Sequence, residues 1–141
     1  MSPGALDEAV VRRHLAALRA AVDELRRHQG RTPEELERDV AELWAVERGL
    51  QVCAQNALDV ATHVAASQGK DIPDYASAID ALVPPGVLPR EFASRFRAVA
   101  GFRNVLVHGY LAVDVHQVHT VLQERLDDFV ELADHVERWM G

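Results

Sequence analysis

The chain has 141 residues, 48% of them hydrophobic and 26% charged, with a formal net charge of −7 at pH 7. That length suits one domain over residues 1–141, since domains usually run to about 100–150 residues. The charge argues against binding nucleic acid through a broadly basic surface, and no apolar run approaches the roughly 20 residues that span a bilayer. Met1-Ser2-Pro3-Gly4 shows no basic stretch leading into an apolar core, so the expected location is the cytoplasm. Cys53 is the only cysteine and can form no internal disulfide. Its apolar, helical setting reads as a buried, inert thiol.

Between residues 6 and 28, Val11, Leu15, Leu18, Val22 and Leu25 recur at spacings of four, three, four and three, which is one face of an α-helix. Gly30 follows as a C-terminal cap. Thr32-Pro33-Glu34-Glu35 starts a second helix: Thr32 caps it, Pro33 suits its first position, and Glu35 completes a capping box. The pattern predicts that this helix continues to Gln68, closed by Gly69, a length of about 54 Å at 1.5 Å per residue. Ile72-Pro73 and Pro84-Pro85-Gly86 punctuate residues 70–90, with a short helix between them that turns Tyr75, Ile79 and Leu82 inward. Pro89 opens a helix from about 90 towards 108. Asp114 with Gln117 marks another N-terminus, after which Val115, Val118, Leu122, Leu126, Phe129, Ala133, Val136 and Met140 repeat at three and four. No strand-like alternation and no repeat interrupts this. The expected fold is all-α, an up-and-down bundle of four long helices plus a short one.

Positive charge gathers in one place. Arg90, Arg95, Arg97 and Arg103 fall within fourteen residues with Glu91 the only acid among them, while the acids concentrate at 34–47 and 124–137. A local cluster of this kind can hold phosphates on an acidic protein. The chemistry-bearing residues lie at its end, in Gly101-Phe102-Arg103-Asn104-Val105-Leu106-Val107-His108-Gly109-Tyr110. An Arg-x4-His spacing alone recurs by chance in a chain with this many arginines and histidines. Asn104, Tyr110 and the otherwise apolar setting make the segment far more specific.

This segment resembles the signature of the HEPN superfamily, and specifically of HepT-like toxins, which carry Arg-x4-His-x-Tyr, usually beginning Arg-Asn. The similarity extends to Gln55-Asn56-Ala57-Leu58-Asp59-Val60-Ala61-Thr62-His63 in the long second helix. It also includes Ile79-Asp80-Ala81-Leu82 with Gly86-Val87-Leu88-Pro89, Val113-Asp114, and Leu122-Gln123-Glu124-Arg125-Leu126-Asp127-Asp128. The resemblance implies a homodimer that brings two motifs into one cleft. It implies a metal-independent endoribonuclease, without a cofactor, acting on RNA as a toxin. It further implies a cognate MntA-like nucleotidyltransferase antitoxin that adds AMP to the motif tyrosine. Carried over, Arg103 and His108 are the catalytic pair, Asn104 is accessory and Tyr110 is the modification site.

The chemistry is coherent with that assignment. Cleaving RNA without a metal needs a proton carrier near neutral pH, which histidine supplies. It also needs stabilisation of the charged phosphorane, which the planar guanidinium supplies. Helix geometry adds a constraint: at 100° per residue Arg103 and His108 lie about 140° apart, whereas Arg103 and Tyr110 lie about 20° apart and Asn104 and His108 about 40°. Either Gly109 ends the helix and lets His108 and Tyr110 swing round, or each Arg103 works with the partner subunit's His108.

Other residues carry bland readings beside functional ones. Arg103 could instead form a structural ion pair with Asp59. Gln51, Gln55, Asp59 and His63, spaced by four on an apolar helix, are either a solvated stripe or a layer that orients the motif, Asp59 being the accessory candidate. His14, His28 and His135 read as surface residues, and Trp44 and Trp139 as core or interface. His116 and His119 have ligand-like spacing but no third ligand, so no metal is expected. Tyr75 is the alternative AMP acceptor. Two functional classes follow: an RNA-cleaving toxin, or a non-catalytic HEPN partner, a substrate-binding subunit of a nucleotidyltransferase.

Overall fold

The computed structural model describes residues 5–109 and 113–141. Helix α1 is Glu8–Arg26, α2 Pro33–Arg38, α3 Val40–Ser67, α4 Tyr75–Asp80, α5 Arg90–Phe96, α6 Val99–His108, α7 Val115–Glu124 and α8 Leu126–Met140. The described residues contain no strand. The four expected long helices are therefore present as α1, α2–α3, α5–α6 and α7–α8, with α4 as the short one, but three of them are broken.

Each break has a physical cause. Asp39 ends α2 with non-helical backbone and caps α3, its side chain accepting the Glu42 amide at 3.1 Å. A short acceptor side chain competes with the helix in this way wherever it finds free N–H groups. The expected continuous helix from 33 to 68 is thus corrected to two, while the capping box of Thr32 and Glu35 and the left-handed Gly69 (φ 75°) stand as read. The helix expected from 90 to 108 turns at Arg97 and Ala98, because α5 and α6 face different partners. Phe92 packs against His135 and Phe96 against Phe129, both on α8, while α6 lies on α3. At Arg125 (φ −117°, ψ −4°) the last helix bends from α7, which meets α2 and α3, into α8, which meets α1.

The core runs through all eight helices of the described residues. Leu15, Leu18 and Leu25 of α1, Leu50 and Leu58 of α3, Ile79 of α4 and Leu122, Leu126 and Phe129 of the last pair are all essentially buried. Gly49 lets α1 and α3 approach closely: a Cβ there would sit 2.7 Å from Leu25 Cδ2. Cys53 is buried among these residues, and burial pushes its thiol up to about 12, which keeps it protonated and inert.

Three histidines expected on the surface are instead half-buried and engaged. His14 Nδ1 donates to Asn56 Oδ1 at 2.7 Å, His28 Nδ1 to Glu42 Oε2 at 2.7 Å, and His135 Nε2 to Glu131 Oε2 at 3.0 Å. Each ties two turns or two helices together. Trp139 packs against the core, but Trp44 is 67% exposed, which removes the core option for it.

Candidate active site

Helix α6 carries the motif. Ala100 and Phe102 point into the core and Leu106 is partly buried against it, which fixes the helix's rotation. Arg103 is thereby aimed between α3 and α4. Its Nε donates to Gln55 Oε1 at 2.9 Å, its Nη1 donates to Asn104 Oδ1 at 3.0 Å, and its guanidinium carbon lies 5.4 Å over the Tyr75 ring. Gln55 Nε2 in turn donates to Asp59 Oδ1 at 2.8 Å and to the Tyr75 hydroxyl at 3.2 Å. The alternative of a direct ion pair between Arg103 and Asp59 is corrected: Gln55 stands between them. Of the polar row on α3, Gln55 holds the motif arginine and Asp59 accepts from Gln55, while His63 Nε2 accepts the Asp7 amide at 3.2 Å. Spacing could not single out Tyr75 as the partner of Arg103, because the contact is made between separate helices.

His108 is the last residue of α6 and is exposed. Gly109 does end the helix, but only after His108, so the helix break does not swing His108 towards Arg103. The two remain about 140° apart around α6 and about 7.5 Å apart along its axis. Tyr110, the expected modification site, lies outside the described residues. Gly101, Asn104, Val105 and His108 are all exposed and, at i, i+3, i+4 and i+7, form one face of α6. Among the described residues Val105 is one of three large apolar residues left exposed, and a Cβ on Gly101 would meet nothing within 4 Å.

The four arginines read as a basic patch are not one. Arg95 pairs with Asp128 and Glu131 at 3.3 Å, Arg97 forks onto both oxygens of Asp80 at 3.1 and 3.2 Å, and Arg103 is held as described, which leaves Arg90 exposed at the start of α5. A cavity of about 390 Å³ opens between α5–α6 and α7–α8 over Phe96, Phe102 and Phe129, rimmed by Arg95 and Arg125; neither Arg103 nor His108 lines it. Among the described residues no group of three or more His, Cys, Asp or Glu is placed to hold a metal, and His119 Nε2 is used to donate to the Arg31 carbonyl at 2.9 Å. No helix among them is long and apolar enough to cross a membrane.

An α-helical bundle with an arginine and a histidine displayed on one helix, and no metal-ligating cluster among the described residues, defines a class of small helical proteins rather than one chemistry. Comparison with known proteins narrows it. The chain matches the model of the ribonuclease HepT-like family over residues 18–136 and belongs to that family. The mRNA nuclease HepT of Shewanella oneidensis is 26% identical over 89 residues, covering 62% of this chain and 67% of that one. A solved tri-AMPylated HEPN toxin of Shewanella oneidensis, in complex with an MNT antitoxin, superposes with a TM-score of 0.81 at 19% identity, covering 92% of this chain and 97% of that one. A toxin–antitoxin structure with AMP-PNP superposes with a TM-score of 0.79 at 19% identity, over 91% and 96% of the two chains. The fold is therefore that of HEPN toxins.

Proposed function

We propose that this chain is the toxin of a toxin–antitoxin pair. It is a metal-independent endoribonuclease, one domain per chain over residues 1–141, that works in the cytoplasm as a homodimer. A nucleotidyltransferase antitoxin silences it by adding AMP to Tyr110. Family membership supports the reaction class. The observation that carries the arrangement is the placement of Arg103 and His108 on different sides of an unbroken stretch of α6. One chain does not focus both on a single phosphate; a dimer that sets Arg103 of one chain beside His108 of the other does. Each symmetric dimer then holds two such pairs.

In that cleft the 2′-oxygen of a ribose attacks the neighbouring phosphorus. His108 takes the proton from the 2′-hydroxyl and returns it to the departing 5′-oxygen. The products are a 2′,3′-cyclic phosphate and a 5′-hydroxyl. Arg103 donates to the phosphorane oxygens as their charge grows, which is stabilisation available only if the guanidinium is already oriented. For silencing, the Tyr110 oxygen attacks the α-phosphorus of ATP and pyrophosphate leaves. The added AMP fills the cleft with bulk and negative charge, excluding RNA by both.

A second reading, a non-catalytic partner whose role is to accept AMP, is favoured by the pairing of Arg95 and Arg97 with acids and by the net charge of −7. Purified wild-type chain and His108→Ala, incubated with RNA in the presence of a chelator, separate the two. The toxin reading requires cleavage by the first and none by the second with the dimer intact. Equal inertness of both, with AMP still accepted, supports the partner reading instead.

A further inference from the structure

We infer that Gln55 is a positioning residue for Arg103, holding the guanidinium by one edge while keeping it off Asp59, so that its charge stays available to a phosphate. This rests on the reading of Arg103 as the catalytic arginine.

An arginine side chain only donates hydrogen bonds, and an ionised carboxylate only accepts them. A side chain placed between the two must accept on one side and donate on the other. The amide of Gln55 does both: Oε1 takes the Nε–H of Arg103 at 2.9 Å, and Nε2 gives to Asp59 Oδ1 at 2.8 Å and to the Tyr75 hydroxyl at 3.2 Å. The partners fix which end of the amide is which. Asp59 sits one turn beyond Gln55 on α3, so a residue unable to bridge would leave Arg103 facing that carboxylate directly. A direct pair would satisfy the arginine and cancel its charge.

The bridge leaves a useful part of the guanidinium over. Nε is used by Gln55 and Nη1 donates once, to Asn104; among the described residues Nη2 makes no hydrogen bond. Phosphate oxygens are bound by parallel N–H groups along a guanidinium edge. The Tyr75 ring lies 5.4 Å from the guanidinium carbon and attracts its charge. Among the described residues, the charged and titratable groups facing Gln55 are Asp59 on its own helix, Tyr75 on α4 and Arg103 on α6.

Gln55→Glu makes the idea testable by pH. An ionised glutamate still accepts from Arg103 but confronts Asp59 with a second negative charge, which raises the pH at which one of the pair takes up a proton. Once protonated, its carboxyl is shaped like the amide: the carbonyl accepts from Arg103 and the hydroxyl donates to Asp59. Asp59→Asn in the same chain removes that second charge, so the glutamate stays ionised, and paired directly with Arg103, to lower pH. A side chain that only filled space would give neither response.

The experiment measures kcat and KM on one labelled mRNA transcript from about pH 5 to 8, a range in which a glutamate raised by a neighbouring carboxylate titrates. The full-length proteins are wild type, Gln55→Ala, Gln55→Glu, Gln55→Glu with Asp59→Asn, and Arg103→Ala, with melting temperatures recorded for each. Gln55→Ala is expected to lose about 10- to 100-fold in kcat with KM little changed, as when a partner that orients a site's ligand is removed. The deficit of Gln55→Glu relative to wild type is expected to narrow as pH falls, and that of the double variant to persist to lower pH. An inactive Arg103→Ala beside a Gln55→Glu deficit that is flat with pH, or whose pH response Asp59→Asn leaves unmoved, overturns the inference alone. An Arg103→Ala chain as active as wild type overturns the catalytic reading and the inference with it. Should Gln55→Ala fail to fold, the Gln55→Glu and double variants decide the matter.

Discussion

The guanidinium of Arg103 lies over the ring of Tyr75, 5.4 Å from guanidinium carbon to ring centroid, although the two residues belong to different helices. A ring face attracts a cation with about 0.5–2 kcal/mol. Tyr75→Leu, which removes the ring, is therefore expected to lower kcat by roughly 2- to 30-fold, the rate equivalent of that range. Tyr75→Phe keeps the ring and one of the two acceptors of Gln55, so its loss is expected to be smaller. Single-turnover RNA cleavage by the two variants checks the order.

Arg103→Lys keeps a positive charge but loses the planar fork and the Nε that Gln55 grips. We expect it to fall close to Arg103→Ala, with cleavage reduced by about 100-fold or more, the scale of losing a preorganised donor to a developing oxyanion. A lysine variant cleaving at near the wild-type rate contradicts the geometric role assigned to the guanidinium.

Val105 is exposed on α6 beside Gly101, Asn104 and His108, so its replacement by aspartate leaves the chain's own core untouched. Val105→Asp is expected to melt within about 0.5 kcal/mol of wild type, as surface changes do, yet to sediment as a monomer and to lose RNA cleavage. Analytical ultracentrifugation with a parallel cleavage assay reads both. A variant that stays dimeric and active removes this face from the subunit contact.

Acid stability follows from Glu42. Hydrogen bonds from His28 and then from Arg31 hold its carboxyl below the ordinary glutamate range. The folded state thus binds the proton less readily than the unfolded chain, so this stabilisation is present above about pH 4.3, the unperturbed glutamate value, and is lost as pH falls through the lower folded value. Melting temperature is expected to drop across that window, and Glu42→Gln, less stable at pH 7, is expected to drop less.

Cys53 gives a chemical check on the core. Its thiol is buried and stays protonated up to about pH 12. Iodoacetamide at pH 8 is expected to leave it unmodified in the native protein and to label it fully in guanidinium chloride, by mass spectrometry. Labelling of the folded chain at the rate of a free thiol contradicts the packing of α1 against α3.

The helical face of α1, the capping box at Thr32 and Glu35, and the stripe of the last helix were legible because periodicity and cap chemistry are local. The breaks at Asp39, Arg97–Ala98 and Arg125 were not, since each depends on which helix the next segment packs against; only Asp39, a good capping residue, offered a signal. The motif was legible as a string of residue types, and the polar row on α3 hinted at its support. That Gln55 rather than Asp59 meets Arg103, that Tyr75 lies beneath it, and that Arg95 and Arg97 are already paired with acids are facts of tertiary placement. They depend on how α3, α4, α6 and α8 are rotated against one another, which no local spacing specifies.

The central claim, an active site shared between two chains, is tested most directly by mixing two inactive variants. Arg103→Ala and His108→Ala, unfolded together and refolded at equal concentration, assort into homodimers and mixed dimers. In a symmetric pairing of Arg103 with the partner's His108, each mixed dimer keeps one intact pair, so the mixture is expected to cleave RNA at about a quarter of the wild-type rate. Activity of the refolded mixture no higher than that of either variant alone would contradict it.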